Sequence, residues 1–86
     1  MPYHVKVKEV LPLDDYMLSV LFSDGTRKRY DVKQLFTRFS WMFQPLIDNP
    51  ALFKNVAVDC GGCGIAWDSD MDISECELWE NGIPEE

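Results

Sequence analysis

The last third of this sequence contains no lysine and no arginine. All eight basic residues lie in residues 1–54, against six acids there, for a net +2; residues 55–86 carry nine acids, for a net −9. The 86-residue chain as a whole is −7. An acidic chain is a poor nucleic-acid ligand, because Lys and Arg neutralising phosphates supply most non-specific affinity. No direct nucleic-acid partner is therefore expected. Histidine occurs once, at His4. A single imidazole close to the N-terminus would have to serve every Ser/His/Asp or Cys/His arrangement, and no spacing assembles one, so the expected class is non-enzymatic. Gly61, Gly62 and Gly64 are followed by neither the Lys nor the helix of a phosphate-binding loop. No apolar run approaches the roughly 20 residues that span a bilayer, and Met1 to Val5 lacks the basic and apolar regions of a signal peptide. Neither membrane insertion nor export is expected, and the expected compartment is the cytoplasm. Three cysteines, an odd number, argue against a closed disulfide framework and fit a reducing compartment. Repeats, low-complexity segments and interdomain linkers are also missing. A single domain over residues 1–86 follows, and a chain this short buries only about 60–65% of the surface its unfolded form exposes.

What is present is enough apolar material for a core: 47% of residues, including three Trp and five Phe. The stretch from Tyr16 to Tyr30 places two alternating runs around Asp24-Gly25, a strong hairpin signal. Tyr16, Leu18, Val20 and Phe22 share one face of the first run; Lys28 and Tyr30 oppose Arg27 and Arg29 on the second. An earlier strand spans His4 to Leu13, with a phase shift at Glu9-Val10-Leu11 that predicts a bulge or a strand end. Pro12 and Asp14-Asp15 mark the exit. These three strands make an antiparallel meander. Asp31 with Gln34 predicts a capped helix whose apolar face is Val32, Leu35, Phe36 and Phe39. Pro45 suits the first turn of a second short helix, and Asn49-Pro50 ends it. Val56 and Val58 then lead through the turn Cys60-Gly61-Gly62-Cys63 to Gly64–Trp67, a second hairpin free to pair at either edge of the meander. Asp68 to Asp72 reads as a polar connection. Ser74 and Glu77 form a second capping box opening a helix through Glu80, with Gly82 after its end. The tail Ile83–Glu86 shows no signal. The expected fold class is α+β: an antiparallel sheet, made of a three-stranded meander plus a C-terminal hairpin, with short helices packed on it.

The order of several stretches is similar to that of a small, mostly bacterial family catalogued as domain of unknown function 2442. They are Val10-Leu11-Pro12-Leu13-Asp14-Asp15-Tyr16, Leu18-x-Val20-x-Phe22-x-Asp24-Gly25, Phe53-Lys54-Asn55-Val56-Ala57-Val58-Asp59, Ile65-Ala66-Trp67 and Asp72-Ile73-x-x-x-x-Leu78-Trp79-x-x-Gly82. The resemblance implies a compact α+β fold and supplies no catalytic residues. Some longer relatives look like fusions to a helix-turn-helix domain, and others are encoded beside small partners in arrangements similar to toxin–antitoxin pairs. Both imply an interaction or sensing module. With its end at Glu86, this chain is expected to lack such a second domain.

Four groups of residues are candidate sites. Cys60 and Cys63, with Cys76 and His4, make up the four ligands a structural zinc ion requires. Nothing in the spacing brings Cys76 or His4 to the hairpin, and the plainer reading is a tight Gly-Gly turn flanked by small filler residues. As a redox pair, Cys60 and Cys63 stand beside Asp59 and Asp68, which disfavour a thiolate. Asp68-x-Asp70-x-Asp72 begins like a calcium loop but has Ile73 and Trp79 where such a loop needs Gly and Glu. Arg27 and Arg29 can face a partner or neutralise the acidic C-terminal third. Trp41 and Phe43, with Trp67 and Trp79, exceed what a small core readily hides, so Trp41 and Phe43 are the candidates for an exposed apolar patch. The expected function is a protein–protein interaction or regulatory accessory module, with an unknown protein partner or self-association and no cofactor. A zinc-stabilised structural domain and a DNA-associated regulator acting through a partner are the alternatives.

Overall fold

The computed structural model describes residues 5–59, 61–68 and 70–85. The predicted meander is present: β1 (Val7–Pro12), β2 (Met17–Phe22) and β3 (Arg27–Asp31) pair antiparallel in that order. The phase shift in β1 is a bulge. Val7 opposes Phe22 but Glu9 opposes Leu21, so one residue is added between them. The β2–β3 turn closes with the Phe22 N–H donating to the Thr26 carbonyl at 2.8 Å, and Gly25 takes a φ of 91° that only a residue without Cβ adopts readily. Leu18, Val20 and Phe22 are fully buried, as the alternation requires.

The second hairpin, β4 (Ala57–Asp59) and β5 (Gly64–Ala66), does not join the meander. It gains β6 (Asp72–Ser74) and forms a separate three-stranded sheet in the order β4-β5-β6. The supposed polar connection is thus the tip of a further hairpin: the Trp67 N–H donates to the Met71 carbonyl at 2.9 Å, and Ile65 opposes Ile73. The two sheets meet at β1. The Val7 N–H donates to the Gly62 carbonyl at 2.9 Å. Gly62 has a φ of 112°, and a Cβ there would lie 2.9 Å from both the Lys6 Cβ and the Val7 oxygen. The Gly-Gly pair is therefore a docking requirement as well as a turn.

The tail also differs from expectation. Ile83–Pro84 is a short strand, β7, that pairs with β3 (Arg29 with Ile83, Lys28 with Pro84) and completes the first sheet as β1-β2-β3-β7. It is delivered there by α3 (Glu75–Asn81), whose cap is the predicted one: the Glu77 N–H donates to Ser74 Oγ at 3.2 Å. The Glu77 carboxylate accepts from Tyr30 Oη at 2.7 Å. Trp79 packs edge-on against Phe22 at 4.9 Å, and the Lys28 ammonium stands 4.1 Å over the Trp79 ring.

Between the sheets in sequence lies the helical segment. The Asp31 carboxylate accepts from the Lys33 N–H at 2.9 Å, but α1 is a single turn, Lys33–Phe36. α2 runs Ser40–Asp48 and places Pro45 in its interior, not in its first turn. Pro45 brings no N–H to the Trp41 carbonyl four residues earlier. Burial of Phe43 and Leu46 on the core side holds the helix across that gap. A 3₁₀ segment, Pro50–Asn55, follows.

Five aromatic rings close a circuit through these elements. Tyr16 meets Phe36 at 5.1 Å and Phe53 at 5.2 Å; Phe36 meets Phe43 at 6.1 Å; Trp67 meets Phe43 at 6.1 Å and Phe53 at 5.8 Å. Tyr16 Oη donates to the Leu46 carbonyl at 2.8 Å and Trp67 Nε1 to the Phe53 carbonyl at 3.0 Å, so both polar tips are satisfied.

Two outcomes are expected. Gly62→Ala lowers unfolding stability by about 2 kcal/mol, from the combined φ penalty and the contact with β1, read from the urea midpoint. Burial first, and then the bond to Glu77, push the Tyr30 phenol well above its ordinary value of about 10. The folded state therefore disfavours the phenolate, and this contribution to stability is complete below pH 10 and declines as pH rises above it. Tyr30→Phe costs about 1–2 kcal/mol at neutral pH and flattens that alkaline decline, measured as urea midpoints against pH.

Candidate functional site

Trp41 and Phe43 lie two residues apart on α2, a separation of about 200° around a helix. One side of α2 faces the aromatic circuit and the other faces away from it. Phe43 takes the inner side, 1% exposed. The expectation that it forms part of an apolar surface patch is corrected here: it is a core residue between Phe36 and Trp67. Trp41 takes the outer side and is 74% exposed. It borders a cleft of about 340 Å³, lined by Trp41, Met42 and Pro45 of α2 and by Asp68, Asp70 and Met71 of the β5–β6 turn. That turn is held by Asp68, whose Oδ1 accepts from the N–H groups of Asp70 (2.8 Å) and Met71 (2.9 Å). The Asp-x-Asp-x-Asp run thus uses its first carboxylate to build a turn. Met42 also borders a smaller cleft of about 160 Å³ with Leu35, Phe39 and Ile73, into which Asp72 and Glu77 also face.

The remaining candidates go elsewhere. Arg27 Nη1 donates to Ser19 Oγ at 2.9 Å, and Arg29 Nε pairs with Glu85 at 2.6 Å. Both arginines are engaged within the chain, and neither lines the Trp41 cleft. Arg29 meets an acid of the C-terminal third and Lys28 stands on Trp79, while Arg27 turns to Ser19 of β2. Cys60 and His4 lie outside the described residues. Cys63 and Cys76 are exposed free thiols. The Glu75 N–H donates to the Cys63 carbonyl at 3.0 Å, which brings the β4–β5 turn to the start of α3, one residue before Cys76. Among the described residues, no group of three His, Cys, Asp or Glu side chains is placed to hold a metal ion. Among them, too, no helix is long and apolar enough to cross a membrane.

Residues 7–84 match the model of the family described as "Protein of unknown function (DUF2442)". The chain belongs to this family. No curated protein and no solved structure matches it. The stretches that carry the DUF2442 pattern place Leu18, Val20, Phe22, Ile65 and Leu78 in the core. The pattern therefore speaks for the fold, and Trp41 lies outside every one of those stretches. Sequence reasoning weighed Asp68-x-Asp70-x-Asp72 as the start of a calcium loop or as a solvated connection, and missed that Asp68, Asp70 and Met71 form a hairpin turn bordering the Trp41 cleft. The available signal was the pair of apolar residues on either side of the turn, Ile65 with Trp67 and Met71 with Ile73, spaced two apart around a polar triplet.

In this DUF2442 chain the Cys76 thiol is pushed up from its ordinary value, first by the adjacent Glu75 carboxylate, then by a small desolvation and by Glu80. Less thiolate is present at a given pH than in a free cysteine. Alkylation of Cys76 by iodoacetamide, followed by mass spectrometry across pH 7–10, is expected to have its midpoint above the usual thiol range of about 8.5. Glu75→Gln is expected to move it down.

Proposed function

We propose that this protein is a non-enzymatic interaction or regulatory accessory module that docks a protein partner through the outer side of α2. The observation that carries the reading is Trp41, 74% exposed beside a cleft and fixed to a helix whose opposite side is locked into the core. Trp is among the residues most enriched at interface hot spots. A tryptophan on a rigid element loses little conformational freedom when it is covered. Pro45, exposed one helical turn after Trp41, extends the apolar surface.

On this reading the module works in the cytoplasm, bound to another protein or to a second copy of itself, and not to nucleic acid or a membrane. The charge of −7 and the commitment of Arg27, Lys28 and Arg29 to internal partners support that choice.

The test is recovery of a tagged copy from its native host under mild conditions, with Trp41→Ala in parallel. The wild type is expected to bring down one partner in stoichiometric amount, or to run as a defined oligomer. The variant is expected to lose that association by at least about 30-fold, the size of a hot-spot loss of 2 kcal/mol. Its melting temperature should stay within about 2 °C, because the side chain is exposed. Repeated recovery of the wild type alone as a monomer, or an association indifferent to Trp41→Ala, would overturn the reading.

A further inference from the structure

We propose that the Trp41 cleft receives a lysine or arginine side chain from a basic segment of the partner protein. This rests on the interaction reading above and gives the partner a chemistry. One wall of the cleft is an exposed indole; the other carries two carboxylates; Met42, Pro45 and Met71 complete the lining. A cation over an aromatic face is attracted by the ring, and more strongly when a carboxylate meets its other side. Arginine suits such a site best, since its planar guanidinium stacks and pairs at once.

Some acids of the fold are matched by partners inside the chain. Asp15 and Asp31 pair with Lys33, Glu85 pairs with Arg29, and Glu77 accepts from Tyr30. The Asp70 carboxylate has no hydrogen bond or ion pair among the described residues, and both recorded bonds of Asp68 fall on a single oxygen. None of the six residues lining the cleft is basic, and the chain from residue 55 onward supplies no basic residue at all. The lining therefore offers these carboxylates no cation of its own. A second copy offers less of what suits the site: Arg27, Lys28 and Arg29 are engaged with Ser19, Trp79 and Glu85, Arg38 lies over the Phe39 ring, and the other cations, Lys6, Lys8, Lys33 and Lys54, are lysines. The adjoining cleft shares Met42 and is walled by Leu35, Phe39 and Ile73. It suits an apolar residue of the same segment, beside Asp72 and Glu77, the latter already accepting from Tyr30.

The experiment titrates the full-length ¹⁵N-labelled protein with a blocked peptide of alternating arginine and leucine, and with its glutamate-for-arginine counterpart. The arginine peptide is expected to shift the Trp41 indole N–H and the backbone amides of Met42, Asp70 and Met71. The glutamate peptide is expected to leave them unmoved. Added salt should weaken the binding, and Asp70→Asn should weaken it about tenfold. Asp68→Asn keeps an oxygen for the turn and should act in the same direction; an unchanged amide spectrum away from the cleft shows that each variant is folded. The proposal falls if millimolar arginine peptide leaves the Trp41 indole unmoved, if shifts spread evenly over the acidic surface, or if Asp70→Asn binds like the wild type. It also falls if concentrating the protein alone reproduces the shifts, which would make a second copy the occupant. A native partner lost with Trp41→Ala but retained by Asp70→Asn and at high salt would remove this proposal and leave the interaction reading standing.

Discussion

Tyr16 has a φ of 58° and follows Asp15 at 61°, two successive non-glycine residues in the left-handed region. Each such residue costs about 1–2 kcal/mol. The conformation persists because it turns the Tyr16 ring into the gap between Phe36 and Phe53 and its hydroxyl onto the Leu46 carbonyl. Aromatic contacts of this kind add about 0.5–1.5 kcal/mol each beyond the area they bury. Two of them and a hydrogen bond are enough to offset the strain. Phe43 and Trp67, through three further contacts, then close the circuit, and the circuit joins the β1–β2 turn, α1, α2, the 3₁₀ segment and the end of β5. It also decides the rotation of α2: with Phe43 inside, Trp41 must be outside.

Charge is used in two distinct ways in so small a fold. The basic strand β3 sits between β2 and β7, under α3, and its three cations each find a partner: Arg27 on Ser19, Lys28 on Trp79, Arg29 on Glu85. Exposed pairs of this sort contribute little to stability, with a median of about 0–1 kcal/mol. Their effect is to select which strand lies against which. The acids of the β5–β6 turn are not used in this way, and they border the one strongly exposed indole.

Local signals were legible wherever one element decided its own conformation. The Asp24-Gly25 turn, the β1 bulge, the Ser74 cap and the burial of Leu18, Val20 and Phe22 all depend on near neighbours in sequence. What was not legible depends on partners far along the chain. β7 consists of two residues, too few to show alternation, and exists because β3 offers an open edge. The assignment of β4 and β5 to a second sheet depends on Gly62 meeting Val7. The start of α2 at Ser40, with Pro45 inside, depends on what Phe43 and Leu46 touch. For the same reason the sequence pointed to the segment around Trp41 but not to the side of the helix that Trp41 would occupy, nor to the aspartates it would face.

The pairing of β3 with β7 joins Lys28 and Arg29 to Pro84 and Ile83, more than 50 residues later. Closing that loop carries an entropic cost before any contact offsets it. The meander is built from short-range contacts and is ready far earlier in the chain. At a synthesis rate of about 5–20 residues per second, the residues between β3 and β7 take several seconds to add, and β3 is an open sheet edge for as long as β7 is unpaired. Its three consecutive cations repel a like strand during that interval, which is when an unprotected edge would recruit a neighbouring chain. The run Arg27-Lys28-Arg29 thus serves the nascent chain as well as the finished one.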